Sequence, residues 1–157
     1  NRRVAFAGTA AAGLLALTAV VFAIRHDGAA AAYAPDLARG EAVYAQACAA
    51  CHGAALQGQP DWRSPGPDGR LPAPPHDASG HTWHHPDRVL FAITKLGSAA
   101  VVGGGYDSDM PGFGDAYSDD ELRDVLAWIK TRWPERERAH QARMTAQDEA
   151  LRRAGGG

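Results

Sequence analysis

Cys48 and Cys51 are the only cysteines of the 157-residue chain, and His52 directly follows the second in "QACAACHGAALQ", residues 46–57. Two thiols at this spacing can close a disulfide, clip a metal, act as a redox pair or take a covalent haem. Each chemistry makes its own demand on the surroundings. A structural zinc site needs two further ligands at metal spacing. A thioredoxin-like pair comes with a βαβ pattern and needs no histidine at position 52. Two cysteines are also too few for a disulfide framework. Cys48-Ala49-Ala50-Cys51-His52 reads instead as C-x-x-C-H, the attachment pattern of c-type haem. The thiols add as thioethers across the two vinyl groups, and the next residue is placed to send an imidazole to the iron. The ring nitrogen turned away from the iron then needs an acceptor that fixes the tautomer.

A six-coordinate iron needs a second axial ligand, and Met110 and Met144 are the only thioethers. Met144 falls in the charged stretch "ERERAHQARMTAQDEALRR" and reads as a helix-surface residue. Met110 falls in the loop "YDSDMPGFG", where Pro111 removes a backbone donor and stiffens the chain. Met110 is the expected sixth ligand.

The elements that must position these groups read as helices. Ser118-Asp119-Asp120-Glu121 is a capping box, with Tyr117 and Leu122 as its hydrophobic staple. Leu122, Val125, Leu126 and Ile129 then form an apolar stripe, and Pro134 ends the helix. A middle helix fits "HPDRVLFAITKLG", with Asp87 near its start, Val89, Leu90 and Ile93 inward and Gly97 at its end. Gly40, Tyr44 and Cys48 are spaced four apart on one helix face. No stretch alternates as a strand would, so the expected domain is all-α.

The pattern resembles class I single-haem cytochromes c over residues 36–134. The resemblance implies three to four helices around one covalent haem c, with His52 and Met110 as the axial ligands. It implies that Gly40 lets the last helix approach the first, opposite Trp128. It also implies that a proline carbonyl accepts the hydrogen bond of His52, with Pro72, Pro74 and Pro75 as candidates. Tyr44, Pro74, Trp83 and Phe113 are the expected haem contacts, the Trp83 indole N–H reaching a propionate.

Residues 64–87, "SPGPDGRLPAPPHDASGHTWHHPD", depart from that family by their length and by their proline and histidine content. His76, His81, His84 and His85 allow a copper-handling site. The favoured reading is that they cap turns and line the propionate edge.

Val4–Ile24 contains no charged residue over 21 positions. As a helix it runs about 31 Å, matching a bilayer core of about 30 Å. It exceeds the usual core of a cleaved signal peptide. Arg2 and Arg3 before it place that end in the cytoplasm. Residues 1–25 are therefore expected to be a transmembrane anchor in contact with lipid through residues 4–24. Residues 26–35 are a short linker, 36–134 the haem domain in the periplasm or equivalent exported side, and 135–157 a charged tail. The tail should be a solvated helix, Glu137 with Gln141 on its surface, or a clasp on a neighbouring subunit, fraying at its final glycines. From Pro35 to Trp133, 13 acidic side chains stand against 8 basic ones, a charge that steers the domain toward a basic partner surface. No basic run points to nucleic acid.

The expectation is a membrane-anchored electron carrier, or a fixed electron-transfer subunit, and not an enzyme in its own right. By resemblance its partners are a quinol-oxidising complex and a terminal oxidase or photosynthetic reaction centre. Gly103-Gly104-Gly105 before Met110 motivates the alternative of a haem-based ligand binder or sensor.

Overall fold

The computed structural model describes residues 33–155. The apolar run 4–24 and the last two glycines lie outside the described residues. Among the described residues, no helix is long and apolar enough to cross a membrane.

Asp36 starts the first helix, α1 (Leu37–Val43), by accepting the backbone N–H of Arg39 at 3.0 Å. The chain continues through a π-helical turn, Tyr44–Cys48, into α2 (Ala49–His52). A 3₁₀ turn at Thr82–His84 precedes α3 (Asp87–Leu96), and the short α4 (Ser98–Val102) follows at once. Then come α5 (Asp119–Thr131) and α6 (Glu135–Gly155). Among the described residues the only β-type pairing is an isolated bridge between Gly97 and Pro111.

The expected capping box closes as read, each of Ser118 and Glu121 bonding the other's backbone. Leu122, Val125 and Ile129 are buried with Trp128, while Leu126 is half-buried against them. Gly40 is where α1 meets α5. A Cβ there would lie 3.0 Å from Trp128 Cβ and closer still to the Asp124 carbonyl oxygen, so the crossing admits only glycine. The Tyr44 ring tilts against Trp128 at a centroid distance of 4.8 Å. Val43, Leu56, Leu90 and Trp133 complete this core.

Asp124 sits inside the crossing with no exposed surface. Its carboxylate accepts the Asp36 N–H at 2.8 Å and the Arg39 guanidinium. A buried carboxylate is tolerated because both partners satisfy it, and it ties the start of α1 to the middle of α5.

The middle helix appears with Leu90 and Thr94 buried, Val89 and Ile93 half-buried and Gly97 as its stop. The last 21-residue helix corrects the expectation of a solvated tail. Glu137 and Gln141 are buried, and Gln141 Nε2 donates to the His85 carbonyl at 3.3 Å and to the Asp87 carboxylate. Thr145 Oγ1 accepts the Asp87 N–H at 3.1 Å, and Arg88 bonds Asp148 through two nitrogens at 2.8 and 3.0 Å. The Arg88 guanidinium holds the Asp148 carboxyl below its usual range. Residues 141, 145 and 148 thus form a polar stripe along one face of α6, docked on the start of α3. Lys130 of α5 reaches Asp87 as well, so one carboxylate joins three helices.

Candidate functional site

His52 ends α2 and is only 6% exposed. Its Nδ1 donates to the Pro74 carbonyl at 2.8 Å. Backbone pairing selects Pro74 from the three candidate prolines. Gly58 N–H returns to the His52 carbonyl at 2.8 Å, Gln59 N–H meets the Ala73 carbonyl at 2.9 Å, and His76 N–H meets the Leu56 carbonyl at 2.8 Å. The strip 52–59 is thereby laid along 73–76, with Pro74 opposite the imidazole. Burial lowers the His52 pKa, and the Pro74 bond offsets this in part. A neutral ring whose Nδ1–H is committed keeps its lone pair on Nε2, the form a metal takes.

Cys48 is half-buried and Cys51 exposed, and both thiols are free. Burial pushes the Cys48 thiol up to about 11. Tyr44 holds this corner from behind, its hydroxyl donating to the Gly53 carbonyl at 2.8 Å. His76 packs its ring 3.9 Å from that of His52, and its backbone carbonyl accepts the Trp133 indole N–H at 2.7 Å. Burial drives the His76 pKa well below its ordinary value. Among the described residues its Nδ1 is the one buried side-chain polar atom with no partner.

Met110 and Phe113 form a second group, built on the end of α3. Phe113 N–H donates to the Thr94 carbonyl and Gly114 N–H to the Lys95 carbonyl, both at 3.0 Å. These bonds satisfy carbonyls that a helix end otherwise leaves open. Gly97, at φ +87°, faces Pro111 across the bridge. Met110 is half-buried, and its sulfur accepts the Ser98 hydroxyl at 3.4 Å. Phe113 is half-buried with its ring edge on Tyr117 at 6.4 Å. Outside, Arg70 bonds Asp107 at 2.9 Å and Asp109 at 2.6 Å, tying the 66–71 turn to the methionine loop.

Trp83 belongs to neither group. Its indole N–H donates to the Ala78 carbonyl at 3.4 Å, and its ring stacks on His84 at 3.7 Å with His140 of α6 at its edge. The four histidines of 76–85 enter different ring contacts. His76 lies beside His52, His81 stacks on Trp62 at 5.3 Å and meets the His85 ring at 5.4 Å, and His84 lies 5.3 Å from His140. Among the described residues no three or more His, Cys, Asp or Glu side chains are grouped to hold a metal ion.

The residues present fit a covalent haem. Two unpaired thiols precede a buried imidazole whose outer nitrogen is committed, and a partnerless buried nitrogen on His76 lies alongside. The sequence reading missed Ser98, Asp124 and the placement of His76.

Neither the curated proteins nor the solved structures hold a match to this chain. Matched against protein families, residues 37–133 fit Cytochrome c, a span running from the start of α1 to the end of the helical core. The chain belongs to the cytochrome c family, whose members bind haem c covalently and generally act as electron carriers.

Proposed function

We propose that this protein carries single electrons through one covalent haem, held at the exported face of the cytoplasmic membrane by residues 4–24. The hydrogen bond from Nδ1 of His52, the histidine of C-x-x-C-H, to the Pro74 carbonyl is the observation that carries the reading. When bound, the haem supplies an iron that passes one electron between its ferrous and ferric states. Cys48 and Cys51 tether it as thioethers. His52, through Nε2, and Met110, through its sulfur, would hold the iron. A histidine–methionine pair raises the potential by favouring the reduced state. Keeping both ligands through the cycle calls for no protein acid or base and keeps rearrangement small.

The acidic surface of the domain steers it toward a basic face on a quinol-oxidising complex, a terminal oxidase or a photosynthetic reaction centre, by contacts that weaken as salt rises. An anchor raises the local concentration of the domain near such complexes.

The test is the spectrum of the haem-loaded protein and of Met110→Ala. The wild type should show the near-infrared sulfur-to-iron band when ferric and should resist carbon monoxide when ferrous. Met110→Ala should lose the band, become high-spin or water-ligated and fall markedly in potential. An unchanged low-spin spectrum in the variant would mean another residue is the sixth ligand. Ready carbon monoxide binding by the wild type would favour a ligand sensor.

A further inference from the structure

Ser98 Oγ lies 3.4 Å from Met110 Sδ. Ser98 opens α4 directly after Gly97, and Gly97 pairs with Pro111, the neighbour of Met110. The residues carrying the hydroxyl and the sulfur are therefore fixed by one shared backbone contact. Further support comes from Phe113 and Gly114, which bond the last carbonyls of α3. Met110 N–H is held in turn by Ser108 Oγ at 3.2 Å. The hydroxyl thus reaches a sulfur whose backbone is anchored on both sides.

A thioether sulfur has two lone pairs. We propose that Ser98 is a positioning and tuning residue for Met110: its O–H engages one lone pair, aims the other and draws electron density from the sulfur. The inference rests on the reading of Met110 as the second axial ligand. A sulfur whose density is drawn away is a weaker donor, and ferric iron loses more by this than ferrous iron does. The Ser98 hydroxyl therefore favours the reduced state. Neutral hydrogen bonds are worth about a threefold to tenfold change in an equilibrium.

Ser98→Ala removes the hydroxyl and leaves the best helix former at the start of α4, so the fold should be untouched. Ser98→Thr restores a hydroxyl at the same carbon. Both variants would be studied as the full, haem-loaded chain by redox titration, the ferric near-infrared band and the ferrous proton resonance of the Met110 methyl. In both, the methyl resonance should show the sulfur still on the iron. Ser98→Ala should lower the ferrous-to-ferric ratio at fixed poise about threefold to tenfold, which for one electron is about 30–59 mV. Ser98→Thr should return it to the wild-type value. Two results overturn the assignment: Ser98→Ala titrating with the wild type, or both variants shifting alike. If Met110→Ala keeps the wild-type low-spin spectrum, the ligand reading itself has failed, an outcome separate from any result at Ser98.

Discussion

His52 and Met110 are supported by two regions built on different physics. The His52 side is a packed core. Tyr44, Trp128, Leu56 and Trp133 are buried there, and Pro74 is set opposite the imidazole by paired backbone strips. The Met110 side is held by backbone bonds to the end of α3, by the hydroxyls of Ser98 and Ser108 and by an exposed guanidinium. It contains the run Gly103–Gly105, where an added Cβ would touch nothing within 4 Å. Cores transmit strain because they are close-packed, whereas loops held by exposed bonds open at lower free energy. A disturbance on the His52 side should therefore unfold the domain, and one on the Met110 side should release a ligand while the domain stays folded.

Gly40→Ala is the strongest way to break that comparison. The new methyl meets the Asp124 backbone oxygen and Trp128 Cβ, and neither is the yielding end of a flexible side chain. Overpacking of this kind costs about 1–3 kcal/mol, and backbone on both sides of the contact puts this case at the upper end. Urea unfolding of the haem-loaded protein should show the far-ultraviolet signal and the near-infrared band moving together to lower urea. A band that bleached first, with the helices still native, would show that the crossing and the methionine loop are not separately held.

Gly97→Ala probes the other side. Its φ of +87° is one that L-residues rarely adopt, and a Cβ there would lie 2.9 Å from Gly112 N and 3.1 Å from the Met110 carbonyl oxygen. Backbone strain of this sort costs about 1–3 kcal/mol. Here the cost can be relieved by letting the 110–112 strip leave the end of α3. The near-infrared band should be lost at urea concentrations where the far-ultraviolet signal is still native. Coincident loss of both signals would mean that the loop and the core unfold as one unit.

The contrast also separates what could be read from the sequence from what could not. C-x-x-C-H and the capping box at Ser118 are local patterns with a mechanism, and each was legible, whereas the close approach at Gly40 came only from the family resemblance. Pro74 could not be chosen from Pro72 and Pro75, because the choice depends on pairing of 52–59 with 73–76, which no periodicity announces. The docking of α6 was hidden for a related reason. Its contact stripe is Gln141, Thr145 and Asp148, so a search for an apolar face finds a solvated helix. The π-helical turn at Tyr44–Cys48 left no mark either. There Ala49 N–H returns to the Tyr44 carbonyl, five residues back, within a run that otherwise reads as plain α-helix. Ser98 was overlooked because its hydroxyl acts on a residue 12 positions away across a glycine-rich loop.

Arg70→Ala should have the smallest effect and gives the finest reading of the comparison. The guanidinium is 38% exposed and its partners Asp107 and Asp109 are 66% and 67% exposed. Exposed pairs contribute about 0–1 kcal/mol, so global unfolding in urea should scarcely move. What Arg70 adds is a tie between the 66–71 turn and the loop that carries Met110. The near-infrared band of the variant should bleach at slightly lower urea than in the wild type, with the far-ultraviolet curve unchanged. At about 1 M salt the Debye length falls to roughly 3 Å, and the two proteins should then bleach together. If the gap between them persists at high salt, the tie is geometric rather than electrostatic. The two directed bonds of Arg70 to separate carboxylates, more than its charge, would then hold the methionine loop in place.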